Sequence, residues 1–243
     1  MKIVFKYLGV LILTVLMNLF IYIYPASAIT FTQIPFEWEH FDISDLTAYD
    51  SDDDSSLGPI ALGFSVTIGG ATYDHFDMDS NGYIELLSAT QPPNGYGYGA
   101  IQELIDDNPT STYLLAAYDD LSSDDYGYYG YALESNRAIF YYNTETYYDE
   151  DHELLNNFEV ILNSDGSVQW NFNYADYDDY DYDLFSGLYF GNTGTLYELY
   201  RDYIPEQESW VYGRNSNNVV PEPITMLLFS TGLVGFAIKR RKA

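Results

Sequence analysis

The sequence predicts an all-β protein, an antiparallel β-sandwich-like domain set between two terminal apolar segments, and three observations carry that prediction. Short runs rich in Phe, Tyr, Val and Ile recur through residues 29–212, separated by Gly, Asn and Asp clusters. Several of these runs alternate apolar and polar residues, the period of a half-buried strand. No stretch holds a helical period except residues 100–105.

Taken in order, residues 62–68 alternate, and Gly69-Gly70 turns them into Ala71-Thr72-Tyr73. Ala138-Ile139-Phe140-Tyr141-Tyr142 reads as a further strand. Residues 158–162 and 168–172 flank Asn163-Ser164-Asp165-Gly166-Ser167, where Asp-Gly supplies the positive φ that a tight hairpin needs. Gly187-Leu188-Tyr189-Phe190 adds another strand. An antiparallel sandwich buries the alternate faces of such strands.

The chain has 243 residues, with 37 Asp and Glu against nine Lys and Arg, and no cysteine. Six of the nine cations lie at the ends: Lys2 and Lys6, then Lys239, Arg240, Arg241 and Lys242. The body between them holds only Arg137, Arg201 and Arg214 against all 37 acids, a formal charge of −34. Such a body repels phosphate backbones and anionic lipid, which excludes nucleic acid as a partner. Without cysteine there are no disulfides, thiolate metal sites or cysteine nucleophiles.

Residues 1–28 read as an export signal. Lys2 and Lys6 form a basic start, residues 8–23 an apolar run, and Ala26-Ser27-Ala28 a small-x-small cleavage site. An uncleaved anchor is the alternative, because the run is long for a signal peptide. At the other end a polar linker, residues 213–219, leads to Val220-Pro221-Glu222-Pro223, an apolar segment at 224–238 and the basic tail. As a helix that segment would reach about 22 Å, against a hydrocarbon core near 30 Å, so it is a marginal span. Both basic clusters would remain inside and the acidic body outside.

The order Val-Pro-Glu-Pro-x-Thr, apolar segment with Gly-Leu-x-Gly-Phe, and basic end resembles the PEP-CTERM sorting signal of Gram-negative bacteria over residues 220–243. The resemblance implies exosortase as a partner and an association with exopolysaccharide. It also implies a chain held in the inner membrane before processing and then left at the cell surface or in the extracellular matrix. Pro221, Glu222 and Pro223 then stand as the recognition residues and Thr225 as the family's threonine. Residues 62–192 resemble a nidogen-like extracellular domain. The matching pieces are the 62–68 strand, Gly70 to Tyr73, Ser80-Asn81-Gly82, Ala117-Tyr118-Asp119-Asp120-Leu121, the strand opened by Arg137 and the 158–172 hairpin. Ala116-Ala117-Tyr118 stands where that family has Pro-Phe-Trp. This second resemblance implies an adhesive or matrix role with no catalytic residues.

Asp77-Met78-Asp79-Ser80-Asn81-Gly82-Tyr83-Ile84 repeats the first half of an EF-hand loop, with oxygen donors Asp77, Asp79 and Asn81 at alternate positions. Calcium is the cofactor this pattern suggests. The second half fails, since Ser88 stands where a bidentate Glu belongs. The alternative is a metal-free β-hairpin turning at Asn81-Gly82. Residues 124–131 and 174–183 interleave Tyr with Asp, which in a strand would put tyrosines on one face and aspartates on the other, and in a loop gives a wet surface able to stack on sugars or attract Ca²⁺. A solvated acidic loop is the plain alternative.

Catalysis has little support. His40, His75 and His152 are scattered, and neither His-Glu-x-x-His nor Gly-x-Ser-x-Gly occurs. The expectation is a non-enzyme with a structural or adhesive role. A calcium-dependent secreted glycan hydrolase is the rival, although 37 acids would place some carboxyl pair at glycosidase spacing by chance.

Overall fold

In the computed structural model, the described residues are 31–39, 43–89, 92–93, 100–123, 127–146, 155–174 and 184–213. All belong to one unit, Thr30–Gly213. The predicted signal peptide, the 224–238 segment and the sorting motif lie outside them. Among the described residues no helix is long and apolar enough to cross a membrane.

Two antiparallel sheets form the body. Sheet A runs in the order β1 (Phe31–Ile34), β14 (Glu208–Tyr212), β11 (Val168–Tyr174), β10 (Leu155–Asn163), β9 (Arg137–Thr146), β8 (Tyr128–Leu133), β2 (Ala48–Asp50), with β7 (Leu121–Ser122) also pairing β9. Sheet B runs β13 (Thr195–Arg201), β12 (Phe185–Phe190), β6 (Thr112–Tyr118), β5 (Tyr83–Leu87), β4 (Ala71–Asp79), β3 (Ser56–Ile68). Every strand predicted from the sequence lies inside one of these. The 62–68 run is the C-terminal part of β3, and its Gly69-Gly70 turn has φ of 61° and 85°, values that suit glycine. The Asp165-Gly166 hairpin joins β10 to β11 with Leu162 opposite Val168, and Gly166 has φ 86°.

Alternation decides which side chains meet between the sheets. Phe76, Met78, Ile84, Leu86, Leu114 and Ala116 from sheet B face Phe140, Tyr142, Phe158, Val160, Trp170 and Phe172 from sheet A in one buried cluster. Full burial of one such apolar side chain contributes about 1.5–3 kcal/mol. A register shift between Phe185 and Gly187 interrupts the β12–β6 ladder, and the Leu115 carbonyl there accepts hydrogen bonds from the Trp170 indole at 3.0 Å and Ser186 Oγ at 3.3 Å. The indole comes from the opposite sheet, so this bond ties the two layers.

Simple sandwich alternation fails on the outer faces, because both are covered. On sheet B, β5, β6 and β12 are buried at every position. The cover is α1 (Ile101–Asp107), where Ile101, Leu104 and Ile105 share one helical face and pack on Tyr83, Tyr113, Leu115, Phe185 and Tyr189. On sheet A, the chain leading from β1 to β2 crosses the sheet as a belt from one edge to the other. Its Glu37 N–H donates to Ser209 Oγ of β14 at 2.9 Å, and its Glu39 N–H to Glu159 Oε1 of β10 at 3.1 Å. The Glu39 carboxylate is gripped by the Arg137 guanidinium of β9, and Thr47 N–H reaches the Tyr131 carbonyl of β8 at 2.7 Å.

Residues 128–131 form the first part of β8, with Tyr129 and Tyr131 turned into the core and Tyr128 half-buried on the outer face. Their neighbours 124–126, and residues 175–183 of the second patch, lie outside the described residues.

Two glycines with nearly the same φ separate strain from crowding. Gly63 (φ 81°) faces open space, whereas a Cβ on Gly82 (φ 77°) would lie 2.3 Å from the Ala117 carbonyl oxygen. Gly63→Ala is expected to cost about 1 kcal/mol from its left-handed backbone alone. Gly82→Ala should cost at least about twice that, and urea unfolding of the two variants measures the difference.

Candidate functional site

The β4–β5 hairpin turns at Ser80-Asn81-Gly82, with Asp79 opposite Tyr83. Asp77 and Asp79 share one face of β4, two residues apart. The face is the outer one, because Phe76 and Met78 point into the core. Around the turn three acidic segments converge: residues 52–55, the hairpin itself, and residues 119–121 after β6. Asn81 is the hub. Its Nδ2 donates to Asp54 Oδ1 at 3.1 Å, its Oδ1 accepts the Leu121 N–H at 2.9 Å, and its backbone N–H donates to Asp79 Oδ1 at 3.0 Å. Ser80 N–H donates to the Ser55 carbonyl at 2.9 Å, and Ser123 Oγ to the Asp52 carbonyl at 2.9 Å.

From the core side a fully buried tyrosine closes the corner. The Tyr142 hydroxyl lies 3.1 Å from the Asp79 carbonyl and 3.0 Å from the Tyr83 carbonyl. Tyr142 stacks on Phe158 at 4.8 Å between ring centroids and lies beside Tyr129, whose hydroxyl meets Ser55 Oγ at 2.7 Å.

Burial dominates the electrostatics. Desolvation raises the Asp77 carboxyl to about 6, with Glu85, its cross-strand neighbour, adding to the rise against a hydrogen bond from Ser56. Asp77 is 3% exposed, and its Oδ1 is buried without a hydrogen-bond partner. Desolvation also pushes Asp79 well above the usual carboxylate range, against opposing hydrogen bonds from Asn81 N–H and the Tyr83 hydroxyl. Asp119 is raised to about 7 by burial, and Asp120 to about 6 by burial with Asp54 and Asp53 nearby.

The three sequence-predicted donors therefore share one hairpin. Asp79 and Asn81 spend their oxygens on the turn, and among the described residues no group of three or more His, Asp or Glu is placed to hold a metal ion. The eight residues 77–84 lie in the β4–β5 hairpin, which turns at Asn81-Gly82. His75 sits beside Asp74 at 2.8 Å, while His40 and His152 lie outside the described residues. The same is true of Ala26, Ala28, Pro221, Glu222, Pro223 and Thr225.

Sequence reasoning missed the partners of the hairpin. Asp54 and Asp119 belong to acidic runs that were visible, but their meeting at Asn81 depends on sheet order. It also missed Glu159 on β10, which is fully buried on the outer face of sheet A under the belt. Desolvation raises this carboxyl to about 7 against hydrogen bonds from Asn171 and Glu39 N–H, and its Oε2 has no partner. Its signal was an acid in the apolar run Phe158-Glu159-Val160, opposite Asn171 across the hairpin.

A family model described as NIDO related matches residues 21–195, and the chain belongs to that family. The match takes in β1 through β12 and reaches further toward the N-terminus than residues 62–192. A second model, the PEP-CTERM protein-sorting motif, matches residues 219–242 and marks the chain as an exported protein sorted by exosortase. No curated protein and no solved structure matches it.

Two predictions follow from the corner and the buried acids. A carboxyl whose folded pKa is raised stabilises the fold fully below its unfolded value, near pH 4, and that contribution is lost as pH rises through 6 to 7. The melting temperature at constant ionic strength should therefore fall by about 5 °C or more from pH 5 to pH 8. Glu159→Gln and Asp77→Asn should each flatten the fall, and a melting temperature flat in pH would contradict the burial described. Tyr142→Phe removes the one hydroxyl proton shared between the Asp79 and Tyr83 carbonyls, at an expected cost of about 1–3 kcal/mol in denaturant unfolding.

Proposed function

We propose that this exported, exosortase-sorted chain is a non-catalytic structural or adhesive protein of the extracellular polysaccharide layer in a Gram-negative bacterium. It crosses the inner membrane behind residues 1–28, is held there by residues 224–238, and is released to the cell surface or matrix when exosortase acts at Pro221-Glu222-Pro223. The observation that carries the reading is the union in one chain of a PEP-CTERM motif at 219–242 and a NIDO-related body at 21–195.

The chemistry of the buried acids supports a structural role. Asp79 accepts from Asn81 and Tyr83, and Glu159 from Asn171 and the belt, so both carboxyls brace chain segments. The rival reading, a glycan hydrolase, draws on Asp119, whose raised pKa would suit a general acid. It further needs a second carboxyl across a bound sugar. Incubation with the host's isolated exopolysaccharide separates the two readings: retention without release of reducing ends is expected, and turnover abolished by Asp119→Asn would establish the hydrolase.

Replacing Pro221, Glu222 and Pro223 together by alanine should leave export intact and stop processing. The longer form would then accumulate in the inner-membrane fraction, as fractionation and immunoblotting show. Release of the triple variant at the parent's length and rate would sink the sorting role of these three residues.

A further inference from the structure

The belt across sheet A lays aromatic rings side by side over a distance that a single core contact does not need. Phe36 lies 6.5 Å from Trp38 between ring centroids, Trp38 lies 6.0 Å from Tyr141 of β9, Tyr141 lies 5.5 Å from Tyr128 of β8, and Tyr128 lies 6.4 Å from Tyr49 of β2. The five rings form one continuous row across the outer face. Tyr141 is buried at its centre, Trp38 and Tyr128 are half-buried, and the two ends are open, Phe36 at 39% exposure and Tyr49 at 52%. Phe36 and Tyr49 are thus two of the four large apolar or aromatic side chains that the described residues leave exposed.

A row of amides runs beside the rings. Asn157 Nδ2 donates to the Tyr141 hydroxyl at 2.7 Å and to Asn143 Oδ1 at 3.3 Å, and Asn173 Nδ2 donates to Asn157 Oδ1 at 3.0 Å. Asn143 and Asn173 are half-buried, so each residue keeps some contact with solvent. Rings that present an apolar face, next to neutral groups that both donate and accept, match a sugar, whose C–H face stacks while its hydroxyls need partners.

Charge narrows the occupant. The one arginine on this face, Arg137, is held by Glu39 and Glu134, and the other described arginine, Arg201, is paired with Glu198 on sheet B. With Glu37 also exposed on the belt, the face offers an anionic polymer repulsion and no free described guanidinium. We propose that the row Phe36, Trp38, Tyr141, Tyr128 and Tyr49 is a docking face for an uncharged polysaccharide chain. The inference rests on the proposed association with exopolysaccharide and assigns that association to one face and one charge class.

Affinity electrophoresis of the mature protein through gels containing laminarin, dextran, hydroxyethylcellulose or alginate tests it. Retardation by at least one of the three neutral polymers, persisting in added NaCl, is expected, with none by alginate. Phe36→Ala and Tyr49→Ala should each weaken retardation about two- to tenfold, Tyr49→Phe should keep it, and Tyr203→Ala, at an exposed ring outside the row, should bind like the parent. Melting temperatures of the variants separate loss of the face from loss of the fold. If the parent is retarded and both alanine variants are retarded equally, the row is not the docking face, while the association with polysaccharide stands. Retardation by alginate alone overturns the charge class and with it the proposal. A parent retarded by no polymer overturns both.

Discussion

The hydroxyl of Tyr142 holds the two sheets in register at the place where the acidic segments meet. Its ring belongs to the sheet A core, yet its oxygen lies within hydrogen-bond distance of two carbonyls of the β4–β5 hairpin. A buried hydroxyl must find a partner, and a buried carbonyl left without one is costly. Satisfying all three groups fixes where the turn sits against sheet A. With the turn fixed, Asn81 bridges Asp54 and Leu121, and the segments on either side take their positions from it. Gly82 is required for the same reason, because the chain turns directly against the Ala117 carbonyl.

The acidity of the body is handled by location. Most of its carboxylates can remain in water, where screening keeps their repulsion modest. A few are withdrawn from solvent where a backbone N–H, a tyrosine hydroxyl or an asparagine amide can bind them, and burial then raises their pKa toward neutrality. Arg137 does for the belt what these neutral donors do elsewhere. It joins Glu39 to Glu134 and so fastens an acidic segment onto a sheet that carries another acid, Glu159, beneath it.

The covers on the two sheets have different physical origins. The α1 cover on sheet B is hydrophobic, three aliphatic side chains on one helical face against a layer of tyrosines and Phe185. The belt on sheet A is polar and aromatic, held by Ser209, Glu159 and Arg137 with Trp38 laid beside Tyr141. The first cover completes a core. The second leaves Phe36 exposed and Trp38 half-buried on the outer face.

The sequence by itself determined the class of fold, the strands around its glycine turns and the sorting motif at residues 219–242. These are local properties: alternation, the positive φ of Asp165-Gly166 and Gly69-Gly70, and the order of residues in the Pro221-Glu222-Pro223 tail can each be read without knowing what lies across the molecule. The hairpin at Asn81-Gly82 was legible for the same reason, as one of two readings of the same eight residues. Only the tertiary structure brought Asp54 and Leu121 to that turn, where Asn81 donates through Nδ2 to Asp54 Oδ1 and accepts the Leu121 N–H through Oδ1. It also chose the strand over the loop for residues 128–131 and turned Tyr129 and Tyr131 inward. The burial of Glu159 depends on a belt whose crossing of sheet A follows from β1 and β2 pairing at opposite edges. Periodicity reports which side of a strand a residue faces, and sheet order and covering segments decide whether that side meets water.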